Sequence, residues 1–180
     1  VIVGCALLAC SAAWAKVDDV SATGFKVSHE VAPTVRPARV WRSLERIGQW
    51  WDPEHTWSGD AGNLRLKPAA GGCFCERWGG QSVEHARVIW AHPGARLRML
   101  GALGPLQEWG ASGVAEFVIE PRTGGSTLRF SYTVSGDARR ARVIFDELRR
   151  KIGAESVEPT PGSSLEAIDE DFELGFNDLA

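Results

Sequence analysis

The chain of 180 residues is short of several features, and each shortage narrows what the protein can be. A formal net charge of only -3 gives no strong field for DNA, RNA or an anionic membrane surface, so we expect no nucleic-acid partner. The longest uncharged apolar run lies at the start of the chain and is shorter than the about 20 residues that span a bilayer. A single Tyr and a single Met contrast with eight Trp, whose large apolar faces suit a bulky core or a wide pocket.

The first 15 residues carry no charge and read VIVGCALLACSAAWA. They end in Ala13-Trp14-Ala15, the small-x-small pattern that precedes a signal-peptidase cleavage site. We therefore predict a signal peptide over 1–15 and a periplasmic or secreted mature protein that begins at Lys16. The alternative uses Leu7-Leu8-Ala9-Cys10, which resembles a lipobox, so that Cys10 would carry a lipid anchor and the protein would be a lipoprotein.

The remaining chain has the size and composition of one domain, which we place at 16–152. Residues 153–180 carry eight acidic and no basic side chains. This composition predicts an acidic tail that is disordered, folds onto the basic helix before it, or does not reflect the ancestral sequence.

Hydrophobic periodicity predicts the order strand, helix pair, six strands, helix, which is an α+β architecture. Alternation over Gly24–Val31 predicts the first strand, and helical spacing after Pro37 predicts a helix over 36–47. The other predicted strands are 63–67, 72–78, 82–91, 95–100, 113–120 and 126–134, and the last predicted helix is 139–152.

Five short motifs follow one another between residues 24 and 136: V-A-P at 31–33 with V-W at 40–41, I-G-Q-W-W at 47–51, G-G-C-F at 71–74, P-G-A-R-L-R at 93–98 and G-G-S-T-L-R at 124–129. Their order resembles the START-like (SRPBCC) superfamily, in the branch of polyketide cyclases and chaperone-ATPase-activator homologues. The segment H-T-W-S-G-D at 55–60 is similar to exported bacterial members. The resemblance implies a helix-grip fold, in which a curved antiparallel sheet of about seven strands surrounds a C-terminal helix and encloses a small apolar ligand. The short basic helix at 139–152 departs from that pattern.

Two apolar stretches are candidates for the walls of such a cavity. The tryptophans around the loop after the first helix form either its rim or core plugs of the helix pair, and we weigh the two equally. The Gly-rich stretch Gly101–Gly113 is predicted to be a mobile lid, with a plain loop as the alternative. Together with the hairpin residues below, the predicted ligand-binding set is Trp50, Trp51, His55, Trp57, Phe74, Glu76, His85, Leu103, Leu106 and Trp109.

The residues around Gly79-Gly80 form a predicted hairpin whose turn length decides which side chains meet. A two-residue turn sets Phe74 opposite His85, with Glu76 on the same face and the cysteines facing away. One extra turn residue reverses this and sets Cys75 against His85. Where Glu76 and His85 share a face, we consider three roles for the pair. They anchor a polar group of the ligand, act as acid and base in an enzyme, or form a surface pair.

Cys73 and Cys75 are two apart in a predicted strand, so both face the same way. Two strand residues cover roughly 6.6 Å, and a disulfide is therefore not expected unless a bulge brings the cysteines together. A metal site of Cys73, Cys75 and His85 is an alternative without the C-x-x-C spacing of structural zinc. We predict no cofactor.

Three hypotheses follow from the sequence. The first is an exported carrier or sensor of a small hydrophobic molecule, as a monomer or weak dimer. The second is a cyclase- or hydrolase-like enzyme that uses Glu76 and His85 as acid and base in the same cavity. The third is an interaction module in which the basic helix and the acidic tail dock a partner. Activity as a cytosolic chaperone activator is disfavoured by the predicted export.

Overall fold

One antiparallel sheet of eight strands dominates residues 16–21 and 23–136, the part of the chain that the computed structural model describes. The strands are β1 (Lys16–Ser21), β2 (Gly24–Val31), β3 (Leu64–Leu66), β4 (Cys73–Trp78), β5 (Gln81–His92), β6 (Arg96–Leu100), β7 (Ser112–Arg122) and β8 (Gly125–Ser135). Their spatial order is β1-β2-β8-β7-β6-β5-β4-β3, so only the β2–β8 contact joins strands far apart in sequence. The predicted signal peptide, the helix over 139–152 and the acidic tail lie outside the described residues.

Strict alternation of side chains gives the sheet one buried face, which we call the inner face. In β8, Leu128, Phe130 and Tyr132 are buried while Arg129 and Thr133 are exposed. Phe130 pairs with Phe117 of β7, and their ring centroids lie 4.8 Å apart. Aromatic pairs of this kind contribute to stability beyond the area they bury. The inner face therefore contains the apolar core.

The helix α1 (Pro37–Glu45) covers part of this core. It begins at Pro37, whose fixed φ suits the first helical turn, and it buries Val40, Trp41 and Leu44. α1 contacts β3, β7 and β8. No helix among the described residues is long and apolar enough to cross a membrane.

The prediction of a helix pair is wrong, because no second helix follows α1 in the described residues before β3. Three short 3₁₀ turns replace it, at Ile47–Gln49, Pro53–His55 and Ala61–Asn63. A Cβ on Gly48 would lie 2.6 Å from the carbonyl oxygen of Ala61, so the first and third turns pack too closely for any side chain there. The two ends of the loop between α1 and β3 therefore pack against each other.

The predicted α+β, helix-grip class is contradicted as well. The described chain is sheet-dominated, α1 is its only helix beyond a 3₁₀ turn, and the central C-terminal helix of that prediction is not shown. The sheet has eight strands instead of about seven because Lys16–Ser21, for which the sequence predicted no strand, pairs with β2 from Lys16↔Ser28 to Ser21↔Gly24. An edge strand can pair through main-chain hydrogen bonds without an alternation of apolar and polar side chains, so hydrophobic periodicity does not predict it.

Candidate functional site

The β4–β5 hairpin turns through Gly79 and Gly80, which have φ of 48° and 81°. Positive φ at both positions is what a two-residue turn of the I′ type requires. Of the two alternatives that the sequence left open, the structure adopts this one, and Glu76 pairs with Val83. Between Phe74 and Cys75 the register then shifts, so that Cys75 pairs with Glu84 but Phe74 with Ala86. His85 is the extra residue of this bulge, and its side chain is buried on the inner face beside Phe74.

Glu76 and His85 form a buried pair. The His85 Nε2 lies 3.1 Å from the Glu76 Oε2, and the two residues are 5 % and 0 % exposed. The Glu76 carboxylate also accepts the backbone N–H of Trp57 at 3.0 Å and that of Ser58 at 2.6 Å. Three donors therefore converge on one buried carboxylate, which ties the loop before β3 to the middle of β4.

The protonation states of the pair follow from these contacts. Burial raises the pKa of Glu76, but hydrogen bonds from Ser58, Trp57 and His85 outweigh it and lower the pKa below its usual 4.5. Burial lowers the pKa of His85 below its usual 6.5, and the hydrogen bond and charge of Glu76 offset this only in part. At neutral pH the pair is thus a carboxylate and a neutral imidazole that donates its Nε2–H to Glu76, leaving the Nδ1 as an acceptor.

These pKa shifts predict that the protein loses stability on acidification. The unfolded state takes up a proton at His85 as the pH falls through 6.5, whereas the folded state resists it, so stability falls. The contribution of Glu76 is present above pH 4.5 and is lost below it, as the pH falls through the folded pKa. Urea unfolding between about pH 7.5 and pH 5 measures the first decline. His85→Gln should flatten it, and an unchanged slope in this variant would contradict the assignment to His85.

Aromatic rings adjoin the pair on one side. Phe74 lies 5.0 Å from the His85 ring and 5.3 Å from the ring of Trp51, centroid to centroid. Trp51 is half-buried and donates its Nε1–H to the carbonyl of His55 at 3.2 Å. Trp50 is a core residue, because it is buried and donates its Nε1–H to the carbonyl of Ser43 in α1 at 2.8 Å. Trp50 therefore matches the core alternative, and Trp51 lies beside Phe74.

Two other predicted residues have side chains away from the pair. Trp57 is 44 % exposed and contributes only its backbone N–H to Glu76. His55 is exposed, and its Nδ1 lies 3.9 Å from the carboxylate of Asp52. The structure therefore brings together Trp51, Phe74, Glu76 and His85, and it does not bring the side chains of Trp57 and His55 to them.

The predicted lid, Gly101–Gly113, lies against β5 next to this site. A Cβ on Gly101 would be 2.3 Å from the carbonyl oxygen of His85, so only glycine permits this approach. Leu103 and Leu106 pack on the core, and the Gln107 Nε2 donates to the carbonyl of Glu84 at 3.1 Å. Trp109 is half-buried.

Tyr132, which the sequence did not single out, holds the start of the Gly101–Gly113 stretch through two hydrogen bonds. Its hydroxyl donates to the carbonyl of Gly101 and accepts the N–H of Leu103, both at 3.0 Å. Burial raises the pKa of Tyr132 to about 12, so the hydroxyl keeps its proton over the physiological range. The sequence offered one signal for this residue: Tyr132 is the only tyrosine of the chain and lies at an inward position of β8.

The cysteines lie on the outer face, and they form a disulfide that we did not expect from a regular strand. The Cα atoms of Cys73 and Cys75 lie 5.4 Å apart, closer than in a regular strand, although the extra residue of the bulge, His85, belongs to β5 and not to β4. The predicted metal set is not assembled, because His85 points to the inner face. In the described chain, Glu84 takes its place, with candidate ligand atoms of Cys73, Cys75 and Glu84 all within 4.8 Å of one another.

Comparisons with known proteins establish the fold and no family. No family model matches the chain, and no curated protein does. A solved protein of Rhodobacter sphaeroides is 17 % identical, covers 92 % of this chain and 95 % of its own, and has a TM-score of 0.52. A conserved protein of unknown function from Enterococcus faecalis is 13 % identical, covers 92 % of each chain, and has a TM-score of 0.51. The chain thus shares its fold with structural-genomics proteins.

Proposed function

We propose that the inner side of β4 and β5, together with the lid, binds a small hydrophobic molecule, and that the protein is an exported carrier or sensor of that compound. The observation that supports this most is the buried, neutral His85, which Glu76 orients beside the rings of Phe74 and Trp51. An apolar wall with a single oriented polar group is typical of sites for small apolar ligands.

In this proposal His85 is the polar anchor. Its Nε2–H is used by Glu76, and among the described residues no hydrogen bond reaches its Nδ1. That nitrogen would accept a hydroxyl or N–H group of the ligand. Glu76 fixes the tautomer and the ring orientation, as the partner of a functional histidine commonly does. Leu103 and Leu106 of the lid would cover the apolar part of the ligand.

The motif resemblance to the START-like superfamily is part of the proposal, since members of that superfamily bind lipids, hormones, polyketides or aromatic compounds. The predicted signal peptide, the monomeric or weakly dimeric state and the absence of a cofactor belong to it in the same way. The two solved structures support the shared fold, and they give no information about a ligand of this chain.

The same hydrogen bond also favours a second function. A carboxylate that orients a histidine through one nitrogen leaves the other nitrogen as a general base, which is the arrangement of many acid–base catalysts. In a cyclase- or hydrolase-like enzyme, the His85 Nδ1 would take a proton from the substrate and return it to the product. A carrier releases its ligand unchanged, whereas the enzyme releases a different molecule.

Native mass spectrometry of protein purified from its own host tests the proposal. We expect a mass excess that disappears on denaturation and identifies the ligand class. His85→Leu should lower the occupancy about tenfold, because it removes one hydrogen bond in a buried site. His55→Leu is the matched control, since His55 is exposed, and it should leave the occupancy unchanged.

The outcomes separate the hypotheses. Equal occupancy in the His85→Leu and wild-type proteins would contradict the anchor. Returning the extracted ligand to emptied protein distinguishes carrier from enzyme, since only an enzyme converts it to a product of different structure, and only while His85 is present.

A further inference from the structure

Cys73 and Cys75 occupy the outer face of β4, opposite the proposed ligand site. Both are half-buried, and one residue separates them in the chain. A regular strand would place their Cα atoms roughly 6.6 Å apart. In β4 this distance is 5.4 Å, within the range that disulfides span.

This disulfide adds little to the connectivity of the fold. It closes a loop with a single intervening residue, and a crosslink removes less entropy from the unfolded chain the shorter the loop it closes. β4 is also paired already with β3 on one side and with β5 on the other. A structural crosslink would be expected to join distant elements, which this bond does not do.

The surroundings of the sulfur atoms suit thiol chemistry. The Cys73 Sγ lies 3.8 Å from the Glu84 Oε2. Glu84 is itself paired with Arg87, whose Nε lies 3.1 Å from its Oε1 and whose Nη2 contacts its Oε2. The carboxylate by itself would disfavour the thiolate, and the guanidinium of Arg87, which pairs with Glu84, offsets that charge. Arg87 and Glu84 are exposed, so a reagent in solution reaches this side of the strand.

We propose that Cys73 and Cys75 are a reversible thiol–disulfide couple that exchanges with a dithiol. In the first step, a thiolate of the dithiol attacks one sulfur, the Cys73–Cys75 bond breaks, and the other cysteine leaves as a thiolate. In the second step, the remaining thiol of the reductant attacks its own sulfur in the mixed disulfide and releases the protein. Two electrons and two protons pass from the dithiol to the cysteines, and the reductant ends as a disulfide.

The test is alkylation of the full-length folded protein after treatment with dithiothreitol. Trypsin cleaves after Arg65 and Arg77, so both cysteines fall in one peptide, separate from Cys5 and Cys10. We expect this peptide to gain two alkyl groups without urea, to lose reactivity on reoxidation, and the folded protein to lose less than about 5 °C in Tm. This measurement does not depend on whether a ligand is bound. The proposal of a thiol–disulfide couple and the proposed ligand-binding function are therefore tested separately.

Arg87→Gln tests the environment of the sulfur. It leaves the Glu84 charge uncompensated beside Cys73, and we expect alkylation of the reduced pair at pH 7 to slow by about threefold to tenfold. Arg129→Gln is the matched control, because Arg129 forms a similar exposed ion pair with Glu30, and it should not change the rate.

Two results would overturn the proposal. One is reduction that occurs only after the protein is unfolded in urea, which would show a structural crosslink. The other is a reduced pair that binds added Zn²⁺ and then resists reoxidation, which would assign Cys73, Cys75 and Glu84 to a metal site instead.

Discussion

Glu76→Ala is expected to lower the free energy of unfolding by about 3–5 kcal/mol. The substitution leaves the backbone N–H groups of Trp57 and Ser58 without their acceptor, and it removes the partner of the buried His85. A buried donor without an acceptor costs far more than the net gain of an ordinary hydrogen bond. The loop before β3 is released from β4 at the same time, so the loss extends beyond the site of the change.

Urea unfolding followed by circular dichroism measures this effect. Glu76→Gln keeps one carbonyl oxygen but brings an NH₂ group toward a donor, so we expect about half of the loss. Glu30→Gln is the control, since Glu30 forms an exposed pair with Arg129 and should change stability by less than about 1 kcal/mol. A loss below about 1 kcal/mol in Glu76→Ala would show that the carboxylate does not fasten the loop.

Phe74→Ala is expected to lower the free energy of unfolding by about 3–5 kcal/mol and to reduce the occupancy of the ligand. Phe74 is buried at the centre of the site, where its ring contacts Trp51 and His85. Removing the ring leaves a cavity between the two and frees the His85 ring to turn away from its orientation. The magnitude depends on how far Trp51 moves into the space.

Phe74→Leu keeps most of the apolar volume and should cost less than about 1.5 kcal/mol. Trp57→Ala removes a larger aromatic ring that is 44 % exposed, and it should cost less than Phe74→Ala despite the greater change in size. Denaturation curves of the three variants, with native mass spectrometry of each, measure both effects. Equal losses in Phe74→Ala and Trp57→Ala would mean that Phe74 is not the centre of the core at this end of the sheet.

The alternation of β4 keeps the two proposed sites apart. Phe74 and Glu76 point to the inner face, whereas Cys73 and Cys75 point to the outer face. Variants of the cysteines and variants of Phe74 or Glu76 therefore test different chemistry. The bulge opposite Phe74 lies in β5, where it places His85 and Ala86 together on the buried inner face.

The sequence by itself determined the strands from β2 to β8, since a sheet with one buried face leaves a period of two in its side chains. It also determined that Phe74 and Glu76 share a face, and it supplied the Gly-Gly turn that sets the register of β4 on β5. The sequence did not indicate β1, which pairs with β2 at the edge of the sheet. The predicted helix-grip class is contradicted, because the described chain is dominated by one sheet, has α1 as its only helix beyond a 3₁₀ turn, and does not show the C-terminal helix.

Only the tertiary structure decided how the site is completed. The bulge at Phe74 depends on how two strands pair, and no residue type announces it. Two of the three donors to Glu76 are backbone N–H groups 18 and 19 residues away in the chain, and every sequence offers such groups at almost every position. The Tyr132 hydroxyl donates to the carbonyl of Gly101, 31 residues before it in the chain. These contacts join groups that only the folded sheet brings together. The hydrophobic periodicity of the sequence describes residues close together in the chain, so it cannot predict such contacts.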